Sequence, residues 1–204
     1  MPFPAKRAHF GNYFFNVWDN VYEPAEDSFL FAENLDVEKG AQVLDMGTGC
    51  GILGILAAEK AGIVVAVDLN PYAVRCTKEN SSLNNVRSKM VFVQSFLLNA
   101  LNENARFDLI LFNAPYLPAA EHEAESWIGR SWAGGTNGRQ IIDRFITEAP
   151  VHLKPNARIL LMQSTLTNVE ETISKFREHN LKARIKAVRK LPFFETLILL
   201  EANT

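Results

Sequence analysis

The segment Gln42-Val-Leu-Asp45-Met-Gly-Thr-Gly-Cys-Gly51 joins an apolar strand, predicted over 42–46, to a helix predicted over 52–60. Its loop contains Gly47, Gly49 and Gly51. Glycine permits positive φ and lets a ligand approach without meeting a Cβ, and an open helix N-terminus favours negatively charged groups. The segment therefore predicts an α/β unit with a ligand site at the end of its strand.

A second apolar strand, predicted over 63–67, ends in Asp68, and Leu69-Asn70-Pro71 begins the next helix. An acid at the tip of the second strand, roughly 20 residues beyond the glycines, is where a carboxylate accepts both hydroxyl protons of a ribose. The glycine-rich loop and this acid together are a more specific sign of a nucleoside-binding site than either feature alone.

The residues Gly49-Cys-Gly-Ile-Leu-Gly54 also match the G-x-G-x-x-G pattern of dinucleotide-binding folds. The match is out of register, because Asp45 and Gly47 already occupy the strand end where the first glycine of that pattern makes its turn. Gly54 falls inside the predicted helix, where close helix-to-sheet packing explains it better. A nicotinamide cofactor is therefore disfavoured.

A third feature is Asn113-Ala-Pro-Tyr116, which follows an apolar run predicted as a buried strand over 107–112. The Asn113 oxygen and neighbouring backbone carbonyls can accept both hydrogens of a planar NH2 group, while the Tyr116 ring covers its flat face. Taken alone, the four residues fit an Asn-initiated turn stiffened by Pro115 equally well. The ligand site predicted upstream favours a site for chemistry on nitrogen.

With these motifs in order, the chain resembles class I S-adenosylmethionine-dependent methyltransferases, and its third motif is similar to the Asn-Pro-Pro-Tyr signature of amino and amide N-methyltransferases. The resemblance extends to Val21-Tyr-Glu-Pro-Ala-Glu-Asp-Ser28 and Trp132-Ala-Gly-Gly-Thr-Asn-Gly-Arg139. These segments are similar to those of HemK-like release-factor glutamine methyltransferases, in their archaeal and eukaryotic branch. The similarity covers nearly the whole chain.

The resemblance implies the cofactor S-adenosyl-L-methionine and methylation of the Gln in the Gly-Gly-Gln motif of a class I peptide release factor. It implies catalytic and substrate-binding roles for Asn113, Pro115 and Tyr116, with the Ala114 carbonyl as a further acceptor. The implied cofactor-binding residues are Tyr22, Glu26, Ser28, Asp45, Gly47, Gly49, Gly51, Asp68, Leu69, Ser95 and Asn113.

Two residues depart from the family pattern. Ala114 replaces a proline of the signature, which keeps the carbonyl but loses one rigid φ. Ser95 stands where many of these enzymes carry an acid that receives the adenine amine, although a hydroxyl can still accept a hydrogen bond. These departures keep open a non-catalytic adenosylmethionine-binding partner module as the alternative to an enzyme.

The composition is that of one globular domain, with 204 residues, 48% hydrophobic residues and a net charge of -2. We expect a single methyltransferase domain over 1–204, with a donor-closing segment over 1–40 and a Rossmann-like catalytic core over 41–204. No apolar run suits a bilayer and residues 1–20 lack a signal-peptide pattern, which predicts a cytoplasmic protein. Two isolated cysteines and four scattered histidines predict no metal site.

The alternation of strands and helices predicts a Rossmann-like α/β fold, with a mostly parallel seven-stranded sheet and helices on both faces. The last two strands are separated by only Lys190-Leu-Pro-Phe193, too short for a crossover helix, so they should pair antiparallel. The segment 117–138 is interpreted as an irregular substrate loop, in which Trp127 and Trp132 either wall the acceptor pocket or anchor the loop. The seven strands are predicted over 42–46, 63–67, 89–94, 107–112, 157–163, 183–189 and 194–201.

Two acceptor classes suit Asn113, namely a protein glutamine amide and the exocyclic amine of a nucleobase such as adenine. The slightly acidic composition favours a protein, since enzymes that act on nucleic acids usually carry a basic stripe. A protein lysine side chain stays open as an alternative, because the motif specifies little beyond a nitrogen.

A partner is expected at the strand over 89–94, which this topology puts at a sheet edge with four consecutive apolar residues. Such an edge invites pairing with another chain. The resemblance implies a small zinc-binding activator subunit that adds a strand there. The alternative is an edge screened by the chain's own helices, and no membrane is expected as a partner.

Overall fold

The computed structural model describes residues 6–204, except for the side chain of Phe193. Residues 1–5 of the predicted N-terminal segment lie outside the described residues. No helix within 6–204 combines the length and the apolar character that crossing a membrane requires.

The strands are β1 (Lys6–Phe10), β2 (Tyr13–Val17), β3 (Gln42–Met46), β4 (Ile63–Asp68), β5 (Met90–Gln94), β6 (Phe107–Asn113), β7 (Leu153–Ser164), β8 (Lys182–Lys190) and β9 (Thr196–Asn203). The α-helices are α1 (Glu26–Glu33), α2 (Ile52–Ala58), α3 (Pro71–Leu83), α4 (Trp127–Trp132), α5 (Gln140–Glu148) and α6 (Val169–Glu178).

Seven strands form one sheet in the order β5-β4-β3-β6-β7-β9-β8. Strand β9 runs antiparallel to β7 and to β8, and the remaining neighbours in this sheet run parallel. The predicted Rossmann-like α/β class is confirmed, including the terminal antiparallel pair and the edge position of β5. Strand β7 begins at Leu153, earlier than the predicted start at 157.

The sheet is buried on both faces, as its continuous apolar strands predict. In β6, Leu109 and Leu111 pack in the core that lies under α1, α2 and α3. Ile110 and Phe112 pack in the opposite core, against α5 and α6. The carboxyl ends of the parallel strands therefore lie between two rigid layers.

Helix α2 packs closely on β3 because Gly54 has no side chain. A Cβ at Gly54 would lie 2.5 Å from the Asp45 Oδ2 atom, and the Gly54 amide donates a hydrogen bond to this oxygen at 3.0 Å. The geometry confirms the packing role predicted for Gly54.

The hairpin formed by β1 and β2 was not predicted. Its register pairs Phe10 with Tyr13 and leaves Gly11 and Asn12 as a two-residue turn, with Gly11 at φ +55°. A Gly-Asn pair between two strands is a recognised hairpin signal, so the sequence did contain the information.

The prediction of an irregular segment over 117–138 is wrong. The segment contains a 3-10 helix, Glu121–Ala124, and the helix α4. Its two ends are joined because the Leu117 amide donates to the Trp132 carbonyl at 2.9 Å and the Gly134 amide donates to the Leu117 carbonyl at 2.8 Å. Local hydrogen bonds therefore give the segment 117–138 a defined shape.

Candidate active site

A cavity of about 1260 Å³ opens at the carboxyl ends of β3, β4 and β6. Pockets for a single small molecule typically occupy about 300–1,000 Å³, so this cavity has room for two reacting groups. Ligands of open α/β sheets bind at this edge of the sheet. Residues of the glycine-rich loop and of the segment 117–138 both line the cavity.

The glycine-rich loop takes conformations that only glycine adopts easily, with φ of +66° at Gly47, +59° at Gly49 and +92° at Gly51. Gly47 and Gly49 line the cavity. Gly51 does not, because it faces α3, where a Cβ would lie 2.8 Å from the Thr77 Cγ2 atom.

Asp45 lies beneath this loop and does not line the cavity. Its Oδ2 atom accepts hydrogen bonds from the Thr48 hydroxyl at 2.5 Å and from the Gly54 amide at 3.0 Å. Burial raises the pKa of Asp45 to about 7, although these two hydrogen bonds lower it in part. The structure therefore gives Asp45 a role in holding the loop, instead of the ligand contact that was predicted.

Asp68 lines the cavity at the end of β4. One carboxyl oxygen accepts a hydrogen bond from the Gly49 amide at 2.9 Å, and the other accepts one from the Asn70 amide at 2.8 Å. Burial raises its pKa to about 6, against the opposing effect of these backbone donors. Each oxygen has a further lone pair for a ligand hydroxyl.

Leu69 and Ser95 line the same part of the cavity. The Ser95 hydroxyl accepts a hydrogen bond from the Ala100 amide at 3.0 Å, which fixes the hydroxyl oxygen in place. Ser95 is therefore a neutral acceptor at a position where many enzymes of the resembled family carry an acid for the adenine amine.

Asn113 ends β6 at the centre of the cavity wall. Its Nδ2 atom donates to the Asp27 Oδ2 atom at 3.1 Å and to the Ser28 hydroxyl at 3.3 Å. Its Oδ1 atom is buried and has no hydrogen-bond partner among the described residues. Because the amide nitrogen is held by α1, the orientation of the unpartnered oxygen is fixed.

The Asp27 carboxyl group is the centre of this network. It accepts hydrogen bonds from the Ser28 amide at 2.6 Å and from the Tyr22 hydroxyl at 3.3 Å. Burial, followed by the charge of Asp27, raises the pKa values of Tyr22 and Tyr116. Both phenol groups therefore stay protonated at neutral pH.

Asp27 was not among the predicted site residues, whereas its neighbour Glu26 was. Glu26 forms an ion pair with Arg189 at 2.8 Å, and its side chain is 60% exposed. Glu26 does not line the cavity, because the first turn of α1 directs Asp27 there instead. Two adjacent acids at a helix start signalled a polar contact, but sequence spacing did not distinguish which of the two faces inward.

The remaining predicted residues meet in the cavity. Its lining includes Tyr22, Ser28, Gly47, Gly49, Asp68, Leu69, Ser95, Asn113, Ala114, Pro115 and Tyr116. Glu26, Asp45 and Gly51 are the predicted residues that the structure does not bring to its surface.

The segment 117–138 supplies a further part of the cavity wall. Trp127 and Trp132 both line the cavity, and the Arg130 guanidinium lies 4.9 Å from the centre of the Trp127 ring. Arg139 ends the segment 132–139, which resembles HemK-like enzymes. This residue is 3% exposed, and its side chain donates hydrogen bonds to the Thr167 and Asn168 carbonyls. Arg139 therefore anchors this wall to the start of α6.

Comparison with known proteins agrees with this geometry. The chain is 45% identical over 181 residues to a Methanocaldococcus jannaschii protein named for protein N5-glutamine methylation, with 88% of this chain and 90% of that protein covered. The chain belongs to the HemK-like glutamine methyltransferase family. Methyltransferase HEMK2 of Homo sapiens is 33% identical over 177 residues, which cover 81% of this HemK-like chain and 82% of that protein.

Two further comparisons also match methyltransferases. A family model described as ribosomal protein L11 methyltransferase (PrmA) matches residues 27–115. The HemK-like chain also superposes on one chain of the solved E. cuniculi Mtq2-Trm112 complex, which is responsible for methylation of the translation termination factor eRF1, with a TM-score of 0.72 and 26% identity. That match covers 91% of this chain and 99% of the solved one.

Among residues 6–204, no three His, Cys, Asp or Glu side chains are grouped as ligands for a metal ion.

Proposed function

We propose that this chain transfers a methyl group from S-adenosyl-L-methionine to the side-chain amide nitrogen of glutamine in the Gly-Gly-Gln motif of a class I release factor. The observation that carries the proposal is the buried, unpartnered Asn113 Oδ1 atom. A buried acceptor without a partner is costly, and a substrate NH2 group would satisfy it. The relatives named for glutamine methylation support the same acceptor.

The donor side of the cavity fits S-adenosyl-L-methionine. Asp68 would accept the ribose hydroxyls, the loop at Gly47 and Gly49 would contact the methionine part, and Leu69 and Ser95 would contact the adenine. When bound, this cofactor supplies a methyl group whose carbon is already electrophilic, because it is attached to a positively charged sulfur. A solved protein of the same fold occurs in complex with AdoMet and guanosine, which is consistent with this cofactor.

The catalytic work of the chain is then to orient a weak nucleophile. Asn113 Oδ1 and the Ala114 carbonyl would accept the two hydrogens of the substrate amide, and Tyr116 would cover its flat face. Holding both N–H groups fixes the face of the nitrogen that reacts, and such positioning is a major source of rate enhancement. The proton is lost from the nitrogen after transfer, so this arrangement needs no strong general base.

The N-terminal segment 1–40, of which residues 6–40 are described, would close the donor site within a single domain. Tyr22, Asp27 and Ser28 of this segment line the cavity, which supports that role. Release factors act in translation, so the proposal assigns the enzyme to the cytoplasm.

We further propose that a small partner subunit covers the edge strand β5. Only β4 pairs with β5 among the described residues. Val91 on β5 is 44% exposed and Ile63 on β4 is 37% exposed, which leaves apolar surface beside an unpaired edge. The Mtq2 relative occurs in complex with Trm112, which supports a partner of this kind, and the sequence resemblance implies that it binds zinc.

Incubation with release factor and isotopically labelled donor, with and without a zinc-binding partner of this type, tests both proposals. We expect the label on the Gln amide of the Gly-Gly-Gln motif, located by peptide mass spectrometry, and a higher rate with the partner. A release factor with Ala in place of that Gln is the matched control and should stay unlabelled. Label on lysine, or on adenine in added nucleic acid, would contradict the glutamine assignment, and equal rates without the partner would contradict an activating subunit.

The substitution Asp27→Asn should lower kcat by about 10- to 100-fold, because hydrogen bonds to charged groups contribute about 1.5–3 kcal/mol. The new side chain can turn an NH2 group toward the Asn113 nitrogen and so destroy the orientation of Asn113. Steady-state kinetics with release factor would measure the change, and donor affinity should stay within about twofold. Glu26→Gln is the matched control, since this neighbouring acid lies outside the cavity; equal losses in both variants would contradict the assignment.

A further inference from the structure

Two asparagine side chains of α3, Asn80 and Asn84, form hydrogen bonds with the backbone of β2 as a neighbouring strand would. The Asn84 side chain accepts from the Phe14 amide at 3.1 Å and donates to the Phe14 carbonyl at 2.8 Å. The Asn80 side chain accepts from the Asn16 amide at 2.9 Å and donates to the Asn16 carbonyl at 2.8 Å. The two side chains are one helical turn apart, so they match alternate residues of the strand.

Asn80 differs from Asn84 in one respect. Its Nδ2 atom also donates to the carbonyl of Cys50, in the glycine-rich loop, at 2.8 Å. An amide nitrogen carries two hydrogens, and here one goes to β2 and the other to the loop. Asn80 is fully buried, so neither bond is replaced by water if it is lost.

The two elements that Asn80 joins both form the cavity. Cys50 lies beside Gly49, whose amide is bonded to Asp68. Strand β2 leads to Asn20, whose carbonyl accepts from Asn70 at 2.6 Å, and then to Tyr22 in the cavity wall. A displacement at Asn80 would therefore move the loop and the N-terminal wall relative to each other.

We propose that Asn80 is a positioning residue of the donor site, which holds the glycine-rich loop and the N-terminal strand in one fixed arrangement. The inference rests on the proposed function, since it takes this loop to be the binding loop of the donor. Asn84 forms the same two kinds of bond with this strand, but no hydrogen bond joins it to the loop. Comparing substitutions of Asn80 and Asn84 therefore distinguishes positioning of the loop from general stability of the fold.

Calorimetric titration with S-adenosylhomocysteine, an unreactive donor analogue, tests the inference. For Asn80→Ala we expect the Kd to rise about tenfold, the change that 1.4 kcal/mol produces. For Asn84→Ala we expect the Kd to stay within about twofold, although both variants lose the same contacts with β2. An unchanged Kd in Asn80→Ala, or an equal rise in both variants, overturns the inference.

Hydrogen exchange in the unmutated chain gives a second test that does not depend on whether Asn80→Ala folds. Addition of S-adenosylhomocysteine should slow exchange of the Asn16 amide about fivefold more than that of the Phe14 amide, because only Asn16 is linked to the loop through Asn80. Equal protection of the two amides counts against the inference. If Asp68→Ala also binds the analogue as the parent does, the donor site itself is wrongly assigned, and if Asp68→Ala weakens binding while Asn80→Ala does not, only the role of Asn80 fails.

Discussion

Replacing Asn113 with alanine is expected to lower kcat by about 10²-fold or more, with donor affinity almost intact. The side-chain oxygen is a buried acceptor held in place through Asp27 and Ser28. Its loss leaves the substrate amide free to rotate, so that its nitrogen seldom faces the methyl group. Single-turnover rates with release factor, together with calorimetric titration of S-adenosylhomocysteine, would measure the two quantities separately.

The Asn113→Ala result also distinguishes an enzyme from a non-catalytic binding module. If the chain only bound a partner, the variant and the parent would behave alike in every assay of methyl transfer. Asn113→Asp is a useful companion, because it keeps the size of the side chain but places a second acid beside Asp27. Full activity in both variants would exclude Asn113 as the residue that orients the acceptor.

Replacing Asp68 with alanine is expected to weaken donor binding by about 1.5–3 kcal/mol, or about 10- to 100-fold in Kd, because a charge-assisted hydrogen bond is lost. The Gly49 amide also loses its acceptor in this variant, so the loop loosens at the same time. Isothermal titration of S-adenosylhomocysteine gives the Kd directly. Asp36→Ala, which removes a carboxylate that is 72% exposed and lies outside the cavity lining, is a suitable control.

The same carboxyl group sets a pH dependence. Burial raises the pKa of Asp68 to about 6, so the ionised form, which is the one proposed to accept two ribose hydroxyls, predominates above that value and is lost below it. We therefore expect donor affinity to fall as the pH is lowered from 7 to about 5, and Asp68→Ala to flatten this profile. A profile of the parent that stays flat through pH 6 would contradict the role of Asp68.

The architecture could be predicted because it depends on local patterns. The continuous apolar run of β6 predicted burial on both faces, and the short connection before β9 predicted an antiparallel pair. The hairpin of β1 and β2 could have been predicted from its Gly11-Asn12 turn, whereas the bonds that hold β2 to Asn84 and Asn80 join residues 70 and 64 positions apart and leave no local pattern.

Part of the site could be predicted because it too depends on local patterns. Asp68 and Asn113 end apolar strands, so their positions follow from the order of the strands alone. The inward direction of Asp27, instead of Glu26, depends on the rotation of α1, which packs against α2, β6, β8 and β9. Contacts between residues more than 150 positions apart cannot be read from spacing.

The single cavity would link the two proposed substrates thermodynamically. The residues proposed to bind the donor and those proposed to bind the acceptor line one continuous cavity, and Asn113 is among them. A bound donor would therefore complete the surface that the glutamine side chain touches, so that the first molecule to bind prepares the site for the second. Linkage then requires release factor to tighten donor binding by the same factor by which donor tightens release-factor binding.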